Sequence, residues 1–281
     1  MKQLYDVPAP AKLNLFLHIT GQRPDGYHLL QSVFMLIDWC DTLHFDKRPG
    51  GAISREDLTH PLPAEDLITR AAKLLQQRTG CSQGAHIAVE KHIPAQAGMG
   101  GGSSDAASCL LALNRLWDLK LDLETLETLG LQLGADVPFF LRGRNAWVEG
   151  VGEKITPIAL PPGQFWVIKP PQGVETAQIF KHPQLQRDTK LAILSVFAAQ
   201  PYDFGHNDLQ PIAQDLCSDV TQALHVLKMA GLNGKMTGSG SAVFAHCPTF
   251  TPSFSVPDLW QSRQCSNLEV HPLRDWAASV S

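Results

Sequence analysis

From His86 to Ile93 the chain reads HIAVEKHI, an alternation of apolar and polar residues that predicts a strand. It runs straight into PAQAGMGGGSSDAA, and an apolar series at helical spacing follows through Ala106, Leu110, Leu113 and Trp117. This strand, glycine loop and helix constrain the fold more than any other stretch. Residues without a Cβ let successive backbone N–H groups face one concavity and let a ligand approach closely. The first turn of the helix adds unpaired amides and the positive end of its dipole. Pro94, Ala95, Gln96 and Ala97, the loop Gly98, Met99, Gly100, Gly101 and Gly102, and the pair Ser103 and Ser104 therefore read as a polyphosphate cradle. No lysine follows the glycines as in G-x-x-x-x-G-K-[ST], and their spacing does not fit G-x-G-x-x-G. A flexible linker is the bland alternative, and the helix that follows argues against it.

The segment PAPAKLNLFLHI sets Leu13, Leu15, Leu17 and Ile19 against Lys12, Asn14, Phe16 and His18, which predicts a strand with one buried face. Lys12 and Asn14 then share the other face, as a solvated surface or as part of a site. Arg23 to Gly26 is a turn by its Pro-Asp-Gly content, with Tyr27 and His28 at its exit as edge packing or a pocket wall. Leu29 to Asp38 is expected as a strand, Asp41 to Phe45 as its hairpin partner, and Arg48 to Pro63 as a loop. Asp66 to Arg78 and Leu123 to Leu133 have helical periodicity, stopped by Gly80 and Gly134. In GADVPFFLRG, Pro138 forbids continuation of the helix, and Asp136 stands among apolar neighbours as a helix cap or a functional acid.

Glycine and proline in GVGEKITPIALPPG mark a boundary near residue 158, giving an N-terminal domain over 1–158 and a C-terminal domain over 159–281. The second half opens with the strand QFWVIKP and a loop carrying Thr176, Ile179 and Phe180. A helix is expected from Asn207 through Leu227. A second glycine-serine turn, Thr237 to Ser241, feeds a strand over Ala242 to Cys247, and VPDLWQSRQCS is expected as a helix.

A chain of 281 residues with 44% apolar content can bury a large core. Its net charge of −4 gives no reason to expect a nucleic-acid or anionic-membrane partner. Six scattered cysteines form no zinc pattern, and no signal segment or 18-residue apolar run is present, so a cytoplasmic protein is expected.

The order PAPAKLNLFL, GYH, P-x-x-x-G-M-G-G-G-S-S-D-A-A, GADVPFF and TGSGS, spread from Pro8 to about Phe244, resembles the GHMP kinases, the superfamily of galactokinase, homoserine kinase and mevalonate kinase. A-K-L-N-L-x-L, D-G-Y-H and G-A-D-V-P-F are more specific. They resemble the branch whose acceptor is 4-diphosphocytidyl-2-C-methyl-D-erythritol. The resemblance implies a two-domain α+β fold with the active site in the interdomain cleft, and ATP-dependent phosphorylation of the acceptor 2-hydroxyl with Mg2+, in the non-mevalonate route to isoprenoids. It implies Asp136 as the base with Lys12 beside it, and the glycine loop on the ATP phosphates. Tyr27 and Phe180 would flank the cytosine, His28 would hydrogen-bond it, Asn14 and Thr176 would contact the erythritol side, and Thr237, Gly238, Ser239 and Gly240 would close over the site. Met99 stands where relatives usually carry Leu, a volume-conserving exchange. Asp66 and Asp105 stand where relatives often carry Asn at the adenine, and an ionised Asp only accepts hydrogen bonds. The metal ligands are not assigned, Ser104 being one candidate. Only small-molecule partners are expected, with a monomer or weak homodimer. Another small-alcohol kinase, or a nucleotide-binding protein without chemistry, remain as alternatives.

Overall fold

The computed structural model describes residues 2–247 and 255–278. Its first sheet is built on two long antiparallel strands, β1 (Gln3–Gln22) and β2 (His28–Arg48). They are joined by the expected turn, where the Gly26 amide donates to the Arg23 carbonyl at 2.9 Å. The hairpin expected between Asp38 and Asp41 does not form: β2 runs unbroken for 21 residues, with Cys40 paired to Pro10 and Asp41 to Ala9. The segment lacks glycine or proline to turn it.

The loop expected over 48–63 contains β3 (Ile53–Asp57), parallel to β4 (Gly84–Glu90). β4 pairs with the second half of β2, and β5 (Ala146–Gly150) pairs with its first half and with β6 (Lys154–Pro157). Four helices cover one face: α1 (Leu67–Thr79), α2 (Gly101–Leu116), α3 (Leu123–Leu133) and α4 (Val137–Arg142). α1 begins and α3 begins and ends where periodicity placed them. α4 was not expected. Pro138 does block extension of α3, but it is accommodated in the first turn of a new helix.

A second sheet has the order β10-β7-β9-β8, from β7 (Gln164–Lys169), β8 (Lys235–Met236), β9 (Val243–His246) and β10 (Gln261–Ser266). β10 replaces the helix expected over 256–266. It is a largely exposed edge strand that satisfies the backbone of β7 from Lys169 to Gln164. The single helix expected from Asn207 is two, α7 (Gln210–Leu216) and α8 (Ser218–Met229), broken where Cys217 is extended at φ −144° and ψ 103°. Two short helices, α5 (Thr176–Lys181) and α6 (Leu194–Ala199), lie between β7 and α7.

Both faces of β1 and β2 are buried. Val7, Ala9, Phe34, Leu36, Leu43 and Phe45 pack with the helices, whereas Leu13, Leu15, Val33, Met35 and Ile37 pack with Phe165, Val167 and Phe244 of the second sheet. Lys12 and Asn14 are thus not on a solvated face: they are 4% and 1% exposed. Any polar group left there needs a partner inside the protein.

Candidate active site

The helix after the glycine loop begins at Gly101, so Ser103 and Ser104 fall in its first turn. Its cap position is Gly100, at φ +71°, with no side chain to claim the first-turn amides. These amides remain available to an anion. The loop itself is held on both sides. The Lys12 amide donates to the Met99 carbonyl at 3.0 Å, and the Ser241 and Ala242 amides donate to the Gln96 and Ala97 carbonyls at 3.1 and 3.3 Å. Gly98 sits at φ +70°, and a Cβ there would lie 2.2 Å from the Thr237 carbonyl oxygen, so the two glycine turns touch backbone to backbone.

A cavity of about 1070 Å3 opens in front of this loop. Pro94 to Ser103 and Asp105 form one wall; Asp66 to Ile68 at the start of α1, Lys91 to Ile93, Val174 to Ala177, Ser239 and Gly240 complete it. Thr176 Oγ1 and Ser239 Oγ are hydrogen-bonded at 2.6 Å, which joins α5 to the second glycine turn.

Lys12, Asn14 and Asp136 lie behind Gly100 rather than in this cavity: a Cβ on Gly100 would come within 3.4 Å of Lys12 Cε. Lys12 Nζ donates to Asn14 Oδ1 and stands 4.0 Å from Asp136 Oδ2. Asn14 is fixed in turn, its Nδ2 donating to Ser32 Oγ at 2.9 Å and its amide to Thr237 Oγ1 at 2.9 Å. Burial lowers the Lys12 pKa, and the charge of Asp136 opposes that shift. Asp136 occupies the cap position of α4 but makes no capping hydrogen bond, and its side chain is 34% exposed. A carboxylate at a helix start that caps nothing is free for other work.

A second charged group was missed in the sequence. Lys91, on the segment between β4 and the loop, donates to Asp105 Oδ2 at 2.5 Å and to Asp41. Asp41, fully buried in β2, also accepts from the His92 and Ile93 amides at 2.5 and 2.8 Å, and so anchors the start of the loop. Burial disfavours the charge on Lys91, but the two carboxylates outweigh it and its pKa is raised. Burial pushes Asp105 up to about 7, with Lys91 opposing and Asp41 reinforcing the shift, because one ammonium faces two buried carboxylates. Asp105 Oδ1 and Ser104 Oγ are buried without a protein partner among the described residues. Asp66 caps α1, accepting from the Ile68 and Thr69 amides at 2.6 and 3.0 Å, and pairs with Arg55.

Of the aromatic residues, His28 and Phe180 pack against each other, tilted by 38° with ring centroids 5.0 Å apart, whereas Tyr27 is 64% exposed. Thr237, Gly238, Ser239 and Gly240 lie against the glycine loop: Thr237 is buried, and a Cβ on Gly238 would be 2.7 Å from the Gly98 carbonyl oxygen.

Comparison with known proteins identifies the family. Residues 66–144 match the family model for the GHMP kinases N terminal domain. The chain is 62% identical over 280 residues to the 4-diphosphocytidyl-2-C-methyl-D-erythritol kinase of Acidovorax sp. (strain JS42), covering 98% of this chain and 99% of that protein. It is 63% identical over 279 residues to the enzyme of the same name from Albidiferax ferrireducens, covering 99% and 97%. A crystal structure of 4-(cytidine 5'-diphospho)-2C-methyl-D-erythritol kinase superposes with a TM-score of 0.73 at 35% identity, covering 86% of this chain and 89% of that one. The chain therefore belongs to the 4-diphosphocytidyl-2-C-methyl-D-erythritol kinase family of the GHMP kinases.

Proposed function

We propose that the protein transfers the γ-phosphate of ATP to the 2-hydroxyl of 4-diphosphocytidyl-2-C-methyl-D-erythritol, giving the 2-phosphate and ADP, as a step of non-mevalonate isoprenoid precursor synthesis. The observation that carries this reading is the position of the glycine loop, between the large cavity on one side and the Lys12–Asp136 pair on the other. ATP enters the cavity with its phosphates on the loop amides and the N-terminus of α2. The acceptor hydroxyl lies at Asp136, whose carboxylate takes its proton. Lys12, 4.0 Å from that carboxylate and tethered to Asn14, orients the hydroxyl for in-line attack. Charge developing on the transferred group is met by amides already in place. His28, Phe180 and Tyr27 hold the cytosine, and Thr176 and the turn Thr237 to Gly240 complete the acceptor side. Asp66 and Asp105 lie at the adenine side.

Mg2+ supplies neutralisation of the phosphates. The unpartnered Ser104 hydroxyl is an oxygen of the type it prefers, and no group of three or more His, Cys, Asp or Glu among the described residues could hold a metal. Ser104 is, however, fully buried and does not line the cavity, so the phosphates and water would hold the metal there. We read the chain as two domains dividing near residue 158 with the site between them; the two separate sheets support this, although Leu268 and Leu273 return to pack on the core of the first sheet. Among the described residues no helix is long and apolar enough to cross a membrane. A cytoplasmic monomer or weak homodimer without nucleic-acid partners fits this metabolite chemistry.

The reading is tested by coupled ADP release with ATP, magnesium and the cytidyl acceptor, run beside homoserine, mevalonate and no acceptor. Turnover with the cytidyl compound alone is expected. Turnover with another alcohol in its place, or ATP binding with no turnover on any acceptor, would overturn it.

A further inference from the structure

His28 and Phe180 come from opposite halves of the chain, and one residue that no motif singles out connects them. Arg187 Nε donates to His28 Nε2 at 3.0 Å. Its Nη2 donates to the carbonyls of Phe180 and His182 at 3.1 and 3.0 Å, and its Nη1 to the Leu185 carbonyl at 2.9 Å. One guanidinium thus takes up the carbonyls that end α5 and reaches across to the first residue of β2. The segment bearing it is itself fastened to the first sheet. The Thr189 amide donates to the Ile19 carbonyl at 3.0 Å, Thr189 Oγ1 to buried Asp208 at 2.7 Å, and the Ala192 amide to Gln31 Oε1 at 2.7 Å.

The bond to His28 has a chemical consequence beyond placement. A guanidinium has only donors, so the nitrogen it meets must accept, and an imidazole that accepts at Nε2 carries its proton at Nδ1. A second proton on the ring would set imidazolium N–H against guanidinium N–H. Burial and the positive charge of Arg187 together lower the His28 pKa. The ring's other packed neighbour is the uncharged Phe180.

We propose that Arg187 is a positioning residue for the acceptor base: it holds His28 against Phe180 as the neutral Nδ1–H tautomer, so that the pocket presents one fixed donor and no positive charge to a pyrimidine edge. This rests on the proposed function, in which these rings hold the cytosine. A neutral donor suits a ring nitrogen or carbonyl acceptor on an uncharged base, and the fixed, tilted ring pair saves the ordering that binding would otherwise require.

The test uses the full-length enzyme with Arg187→Met and Arg187→Lys. In wild-type protein, 15N NMR of the histidine rings is expected to show His28 protonated at Nδ1 and not at Nε2 from pH 6 to 8. In Arg187→Met the ring's pKa should rise, yet stay below the ordinary histidine value, because burial, the larger cause of its lowering, remains. The Michaelis constant for the cytidyl acceptor should rise by about tenfold, the loss of one good hydrogen-bonded arrangement, and rise further as the pH is lowered, while kcat at saturation and the constant for ATP stay within about twofold. Arg187→Lys keeps the positive charge but not the planar fork. It should keep the ring neutral while recovering only part of the affinity. A wild-type ring protonated at Nε2, or an acceptor constant unchanged in a folded Arg187→Met enzyme, would overturn the proposal. Failure of the wild-type enzyme to use the cytidyl acceptor would instead remove the functional reading and leave the NMR result to decide the tautomer.

Discussion

The two sides of the glycine loop are built on different principles. The donor side is made chiefly of backbone: amides and carbonyls of one continuous stretch, locked to β1 and to the second glycine turn by main-chain hydrogen bonds and by contacts too close for a Cβ. The side proposed to take the acceptor is made of side chains from distant segments: Lys12 and Asn14 on β1, Asp136 at α4, His28 on β2, and Phe180 and Arg187 around α5. A backbone cradle reads any polyphosphate, so it marks a broad superfamily. A side-chain assembly selects the alcohol, and it is there that one kinase can differ from another.

If this division holds, substitutions on the two sides fail in different ways. The largest effect is expected for Asp136→Asn, which keeps the shape and removes the base: kcat should fall by about 100- to 10,000-fold, checked by coupled ADP release. Gly98→Ala should damage the donor side, since the strained φ alone costs about 1–3 kcal/mol and the new methyl meets the Thr237 carbonyl. Weakened nucleotide binding in calorimetry and a lower melting temperature are its expected signs.

A smaller effect is expected beneath the loop. Asp105, pushed up to about 7 in the folded protein, holds its proton there at pH values where the unfolded chain, titrating near 3.9, has lost it. Its contribution to stability is complete below about pH 4 and is lost as pH rises through 7. Asp105→Asn should therefore flatten the fall in melting temperature over pH 4–7, as measured by scanning fluorimetry. Asp66→Asn keeps the cap, because Asn caps a helix as well as Asp does. It breaks the pairing with Arg55, in which both side chains are largely buried, and denaturant titration should show a loss of up to about 3 kcal/mol, the low end for a buried pair because Arg55 keeps Asp57.

The same contrast explains what could be read from the sequence. Strand, loop and helix around Gly98 to Ser104 were legible because local spacing alone dictates them. Gly80 and Gly134 as helix ends were legible for the same reason. The residues Lys12 and Asp136 could be named as candidates, but their pairing depends on α4 folding back beside β1, and only a family resemblance supplied it. Lys91, Asp41 and Arg187 were missed. An isolated lysine in an alternating strand, an acid mid-strand and an arginine in a loop look like surface charges, and their roles arise from contacts spanning 14, 50 and 159 positions. Lys91 had one available signal, its position directly before the glycine loop. The fold was misread where tertiary pairing overrode local preference. β2 is kept continuous by pairing with β1 from Asp46 to His28, through several bulges, and β10 is extended because the edge of β7 offers it hydrogen bonds.

The claim that the cradle works independently of the acceptor chemistry is tested most directly by titrating a non-hydrolysable ATP analogue with magnesium into the Asp136→Asn enzyme. A dissociation constant within about twofold of the parent's is expected, since Asp136 does not line the cavity proposed to take the nucleotide. Loss of nucleotide affinity in parallel with turnover would contradict it.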